Sequence, residues 1–150
     1  MIDETSLKIL KILQEKARIP NVEVARQVGM APSAVLERIR KLEKGGYIDG
    51  YEVRLNPEKF DRNLVAFVEV AVQQTNRKDK VGEKLAALPE VLEVHFITGQ
   101  DSYLVKLRVA DAGSLGSLVQ KKIASLPQVT ATRTAIAMST LKETWRIPID

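Results

Sequence analysis

The chain has 150 residues, 45% of them apolar and 28% charged, with no cysteine and a single histidine, His95. That length suits one domain or two small ones; the missing cysteines exclude disulfides and thiolate chemistry, and a lone histidine excludes the common histidine-rich metal sites. The net charge is +4, with 11 Lys/Arg against 9 Asp/Glu in residues 1–60 and 12 against 10 in residues 61–150, so bulk charge points weakly to a polyanion and favours neither part.

The first 46 residues read as helices. Leu7, Leu10, Leu13 and Ala17, with Ile9 and Ile12 beside them, recur at helical spacing, and Asp3 can cap the start. Pro20 ends that helix, and Asn21 can cap a second one running to Val28. Gly29 supplies the positive φ that stops it. Pro32 suits the first turn of a third helix, which runs to Lys44 and ends at Gly45-Gly46. Residues 47–55 are β-prone with Asp49-Gly50 as a tight turn, which predicts a two-stranded wing. Residues 56–63, beginning Asn56-Pro57, form a polar linker.

Beyond the linker the period changes. A strand is predicted over 64–74, a helix over 77–88, strands over 91–98 and 103–109, a helix over 112–126 and a long strand over 129–141. Leu88-Pro89-Glu90-Val91 recurs as Leu126-Pro127-Gln128-Val129. In both places proline bars a helix from continuing and a strand begins. Two such units make β-α-β-β-α-β, a ferredoxin-like arrangement. In the first strand Leu64, Ala66, Val68, Val70 and Val72 point one way and Val65, Phe67 and Ala71 the other. Two helices cover only one face of a four-stranded sheet, so the second apolar face is expected to pair with a second copy.

Ala25, small where two helices meet, and Gly29, four residues later at the sharp turn, have the spacing of a helix–turn–helix unit. On the third helix, Val35, Ile39 and Leu42 form one face and should be core. Ser33, Glu37, Arg40 and Lys44 lie opposite, with Lys41 on a flank and Ala34 near the start. Arg38 borders the core face, suiting a phosphate contact or an internal ion pair. As a recognition helix, its first residues would meet base edges and its basic ones phosphates. The plain alternative is a solvated helix of mixed charge, since Glu37 and Glu43 partly cancel the cations.

The sequence resembles the Lrp/AsnC (leucine-responsive, feast/famine) family of prokaryotic transcription regulators. The resemblance runs through Ile2-Asp3 to Ile12-Leu13, Val24 to Gly29, Ser33 to Glu43, Gly46-Tyr47-Ile48, Ile97-Thr98-Gly99 with Tyr103, and Thr132, Thr134, Ile136 and Ser139-Thr140. It implies an α+β protein: an N-terminal winged helix–turn–helix domain over 1–55, and a C-terminal ferredoxin-like effector and oligomerisation domain over 64–150. It also implies dimers that assemble further, and an amino-acid effector. Two positions depart from the family pattern. Ala31 stands where serine commonly caps the third helix, which should weaken the cap by roughly 1 kcal/mol. The effector loop reads Gly99-Gln100-Asp101-Ser102, with its acid one place earlier than in the Gly-x-x-Asp of many members.

The expected reading is therefore a sequence-specific transcriptional regulator. Ser33, Ala34, Glu37, Arg38, Arg40, Lys41 and Lys44 are the candidate contacts to double-stranded DNA. Thr98, Gly99, Gln100 and Asp101, with Thr134 carried over from the family's threonine-rich strand, are the candidates for a small amino acid or related metabolite. The alternative for the loop is a plain hairpin turn, where Gly and Asp serve geometry alone. His95 alternates with Glu93 and Ile97 on one strand face, with no nucleophile or second histidine beside it, so a structural or interface role is expected and no enzyme. Trp145 is expected to pack. No cofactor and no metal are expected. The apolar runs are too short for a bilayer, and Ile2-Asp3-Glu4 after Met1 is no secretory signal, so the expected place is the cytoplasm. The competing function is a small-molecule-sensing subunit whose N-terminal helices bind protein instead of DNA.

Overall fold

The computed structural model describes residues 1–73 and 80–150. It divides into two compact units: Met1–Arg54 together with Lys142–Asp150, and Leu55–Leu141. The last nine residues thus group with the helices and not with the sheet.

The first unit holds three helices, α1 (Glu4–Glu15), α2 (Asn21–Val28) and α3 (Pro32–Lys44). Asp3 caps α1 by accepting from the Ser6 N–H at 2.8 Å. The buried stripe of α1 is Ser6, Ile9, Leu10 and Leu13, while Leu7 is half-buried and Ala17 is exposed beyond the helix end. The spacing i, i+3, i+4, i+7 is as expected, but the face is rotated so that Ser6 lies inward. Pro20, not Asn21, occupies the cap position of α2, and Asn21 is its first helical residue. Gly29 ends α2 at φ 69, in the left-handed region. The Met30 N–H then reaches the Ala25 carbonyl at 3.0 Å, which closes the turn over that small residue. Ala31 supplies no side-chain cap to α3, as its methyl dictates. Ile9, Val24 and Val35 are wholly buried, with Leu10, Leu13, Ala25, Ile39 and Leu42 around them. Each large aliphatic side chain buried here contributes about 1.5–3 kcal/mol.

The expected wing hairpin does not form: no strand is present over residues 47–55. Gly46 ends α3 at φ 73, but Gly50 does not adopt the positive φ that an Asp-Gly hairpin turn requires. Ile48 packs on the helical core, while Tyr51, Val53 and Leu55 are exposed and offer no second buried face to hold a ladder.

The second unit is β1 (Leu64–Val72), α4 (Val81–Ala86), β2 (Val91–Ile97), β3 (Ser102–Val109), α5 (Ala112–Leu118) and β4 (Val129–Ile136). The helix expected over 77–88 begins, in part, outside the described residues. The one expected over 112–126 is α5 continued by a π-helical turn, Val119–Ile123. The strand expected to reach 141 ends at Ile136. Sheet order is β2-β3-β1-β4, with every neighbouring pair antiparallel. Both copies of the Leu-Pro-x-Val repeat make the same turn: the Val91 N–H bonds the Leu88 carbonyl and the Val129 N–H bonds the Leu126 carbonyl, each at 3.0 Å.

The core lies on one side of this sheet. Ala66, Val68, Val70, Val105, Leu107 and Val109 meet Val81 and Leu85 of α4, Leu115 and Leu118 of α5, and Ile123. The opposite face carries Val65, Phe67, Glu69 and Ala71 beside Leu104, Lys106, Glu93, His95 and Ile97, as the register of β1, β3 and β2 requires. A bulge at Leu92 keeps Glu93 and His95 on that face. Trp145, expected to pack, is 82% exposed.

Candidate DNA and effector sites

On α3, Val35, Ile39 and Leu42 are buried, as the helical wheel predicts. Ser33, Glu37, Arg40, Lys41 and Lys44 are exposed, and Ala34 is half-buried. Lys41 lies 3.9 Å from Glu37, a solvated pair one turn apart that is worth little. Arg40 and Lys44 have no carboxylate partner among the described residues, so their charge is available to an anion.

Arg38 is held from within. Its guanidinium donates to the Asp3 carboxylate at 2.6 Å and to the Ser6 hydroxyl at 3.1 Å. Of the two roles that sequence allowed it, the ion pair is the one the structure contains. Arg38 and the Ser6 donors together hold the Asp3 carboxyl well below the usual carboxylate range. The same contacts join the start of α1 to the middle of α3. Farther along α3, Tyr51 donates its hydroxyl to Glu43 at 2.9 Å. Partial desolvation of the half-exposed ring, and then that neighbouring carboxylate, push its phenol up to about 12. On α2, Arg26 pairs with Glu23 and depresses that carboxyl to about 2.

The loop between β2 and β3 carries Thr98, Gly99, Gln100 and Asp101. Gly99 has φ 102, a conformation that an L side chain rarely adopts, and a Cβ there would meet nothing within 4 Å. The Asp101 carbonyl accepts the Val72 N–H at 2.9 Å, which ties the loop to the end of β1. Its carboxylate makes no hydrogen bond or ion pair with a described residue. Ser102 is wholly buried, and its hydroxyl has no partner among the described residues.

Thr134 is not brought to this loop within one chain. It lies on β4, the opposite edge of the sheet, and pairs with Val68, a core-facing position. Along β4 it stands five residues beyond Val129, the partner of Val72, which is about 17 Å of strand. A cleft of about 430 Å³ is lined by residues of the first unit, including Asp3, Arg38, Lys41 and Tyr47, and includes no part of the loop.

Elsewhere on the sheet, His95 lies 3.4 Å from Glu93, and Lys106 lies 3.4 Å from the same carboxylate. This is a surface charge cluster without a nucleophile. Sequence reasoning missed the contacts of Gln14 with Ile147 and of Arg146 with the Glu15 carbonyl, across 133 and 131 residues of chain. No local pattern marks a contact of that separation. Tyr51 was read only as a wing residue.

A three-helix unit with a helix–turn–helix, followed by an open-faced ferredoxin-like unit, defines a DNA-binding protein with a second regulatory domain. Residues 2–49 match the winged helix-turn-helix DNA-binding family, and residues 65–147 match the Lrp/AsnC ligand binding domain. The leucine-responsive regulatory proteins of Escherichia coli K12 and Klebsiella pneumoniae are each 35% identical over 150 residues, 99% of this chain and 92% of theirs. A transcriptional regulator of Neisseria meningitidis, solved with L-Met, superposes with a TM-score of 0.94 at 29% identity, covering 99% of this chain and 97% of that one. A feast or famine regulatory protein of M. tuberculosis, complexed with L-methionine, gives 0.89 at 30% identity, covering 98% and 99%. The chain belongs to the Lrp/AsnC family of DNA-binding transcriptional regulators.

Proposed function

We propose that this regulator responds to an amino acid of the methionine class, and that the loop at 98–101 receives it. Asp101 would face the ammonium group, and the backbone around Gly99 would approach the carboxylate. The observation that carries this reading is the Asp101 carboxylate, without a partner among the described residues, beside the positive-φ Gly99, on a loop fixed to β1. The L-methionine bound to two similar structures supports it. Thr134 enters such a site only from another copy, which fits a site between dimers. The dimer itself would pair the open sheet faces around Phe67, and further assembly would join dimers.

In the same reading α3 enters the major groove. Ser33, Ala34 and Glu37 bear on sequence preference, and Arg40, Lys41 and Lys44 meet phosphates or a guanine. Arg38 orients α3 through Asp3. Effector control follows if the ligand favours one assembly over another, because only differential binding shifts that equilibrium. No step of this scheme is catalytic, and its place is the cytoplasm.

Calorimetry against the twenty amino acids, with sedimentation and a DNA-binding salt series alongside, tests the proposal. Binding of L-methionine or a similar amino acid, lost in Asp101→Ala while the dimer and basal DNA affinity persist, is the expected result. Silence across the panel would reduce the loop to a turn. Absence of specific DNA binding in every ligand condition would favour a protein-binding sensor.

A further inference from the structure

The cleft of the helical unit has no part in the effector loop and lies beside the outer face of α3, not on it. It holds about 430 Å³ and is formed by the start of α1, the second half of α3 and the turn after α3. Ile2, Leu42 and Tyr47 give it an apolar lining, and Asp3, Arg38 and Lys41 a charged one. Tyr47 is fixed there by the turn at Gly45-Gly46. Its N–H bonds the Leu42 carbonyl at 2.9 Å, and a Cβ on Gly45 would already meet its ring at 3.4 Å. The ring itself is 56% exposed, so the hydroxyl can meet a ligand.

The acid of this cleft is spent and the cations are not. The Asp3 carboxylate accepts from the Ser6 N–H and from Arg38. Arg38 uses only Nη1 for its bonds to Asp3 and to the Ser6 hydroxyl. Its Nε and Nη2 have no partner among the described residues. Together they are the edge of the guanidinium that offers two parallel N–H groups, the edge that fits two oxygens of one anion. Lys41 follows one turn later on the same side of α3, and its pairing with Glu37 at 3.9 Å is too loose to hold the ammonium.

Their place on the helix selects the anion. Ser33, Glu37, Arg40 and Lys44 centre the face opposite the core. At about 100° per residue, Lys41 lies about 70° to one side of that centre and Arg38 about 130°. A helix seated in the major groove by its outer face has the sugar–phosphate strands along its flanks, and base edges only in front of it. We infer that the cleft seats one phosphate of the DNA backbone: the Nε–Nη2 edge of Arg38 holds two of its oxygens, and Lys41 and the Tyr47 hydroxyl close on it. Arg38 is then shared, with one nitrogen turned to Asp3 and two to DNA. The inference rests on α3 being the helix that enters the groove.

The test neutralises phosphates one at a time. In a duplex selected for binding by the native chain, each linkage in turn is made an uncharged methylphosphonate, and affinity is measured over a salt series. The native chain is compared with Arg38→Gln, Asp3→Asn and Tyr47→Phe. One linkage beside the groove contact should cost the native chain about tenfold when neutralised and Arg38→Gln less than about twofold. On the unmodified duplex, Arg38→Gln should lower the salt slope by about one. Asp3→Asn breaks the same ion pair but leaves the guanidinium, so its slope should stay as in the native chain. Tyr47→Phe should weaken binding about threefold to tenfold, with the slope kept. Should Arg38→Gln not fold, the pair Asp3→Asn with Arg38→Gln, in which two amides meet where the ion pair was, takes its place in the scan. If Arg38 only orients α3, Asp3→Asn and Arg38→Gln will weaken binding alike and leave the slope unmoved, which overturns the inference. So does a scan in which every linkage felt by the native chain is felt equally by Arg38→Gln. Arg40→Ala, measured beside them, keeps the two readings apart. A loss there with none in Arg38→Gln overturns the phosphate seat alone, and silence in both overturns the helix assignment with it.

Discussion

Asp3 and Arg38 are 35 residues apart in sequence and 2.6 Å apart in the fold. The aspartate does two things at once, capping α1 and fixing the guanidinium of α3. Asp3→Asn separates them, because asparagine caps a helix as well as aspartate but carries no charge. Asp3 keeps a depressed pKa in the folded chain, so its contribution is complete above the ordinary carboxylate range and is lost as pH falls. The stability gap between the native chain and Asp3→Asn should be constant above about pH 5 and close progressively below about pH 4. Urea midpoints across that range check it, and a gap unchanged down to about pH 2 would show that the ion pair does not contribute.

Arg40→Ala should weaken DNA binding and lower the salt slope by about one for a lost phosphate contact. If Arg40 reads a guanine, discrimination at one base pair falls by about 1–3 kcal/mol instead. Lys41→Ala should likewise weaken binding and lower the slope by about one, uniformly across sequences. Affinity measured over a salt series on cognate and scrambled duplexes separates the two outcomes, and an unchanged slope in the double variant would remove α3 from the interface.

The α3 face was legible because burial on a helix repeats every three to four residues, and Val35, Ile39 and Leu42 fall on that period. The same holds for the sheet, where alternation in β1 separated Val68 and Val70 from Phe67. Ser6 was not legible as an inward residue, because what places it there is Arg38 on another helix. The wing was misread because β-prone residues and an Asp-Gly pair describe only local preference. Strands also need a partner and a buried face, and Tyr51, Val53 and Leu55 have neither. At the effector site, the loop was readable from Gly99 and its neighbours, but the distance to Thr134 depends on strand order, which no single strand encodes.

Gly29→Ala should destabilise the helical unit by about 1–2 kcal/mol through backbone conformation alone. A Cβ at that position meets nothing within 4 Å, so no repacking adds to the cost of φ 69. Gly29→Asn should cost less, since asparagine tolerates the left-handed region. Chemical denaturation of the three proteins gives the order Gly, Asn, Ala, and any other order would place the constraint elsewhere.

Tyr51 should ionise with a midpoint raised to about pH 12, as partial desolvation and the Glu43 carboxylate disfavour the phenolate. A raised pKa on an acid stabilises the fold below the unfolded value and withdraws that support as pH rises from about 10 through 12. Ultraviolet titration of the native chain against Tyr51→Phe isolates this one phenol. Glu43→Gln should move its transition downward, and no movement would leave burial as the whole cause.

Phe67→Asp puts a charge at the centre of the uncovered sheet face, beside Lys106 and Ala135 in register. The core on the other side is untouched, so the unit should stay folded while the proposed dimer dissociates. Sedimentation at micromolar concentration reads the outcome, with circular dichroism to confirm the fold. A variant that sediments like the native protein would move the dimer contact off this face.

Residues 55–141 lie between the two segments that build the helical unit, so the chain leaves that unit at one end of the sequence and returns to it at the other. A reading head whose own last strand of chain is delivered through its sensor cannot be completed until the sensor has been synthesised.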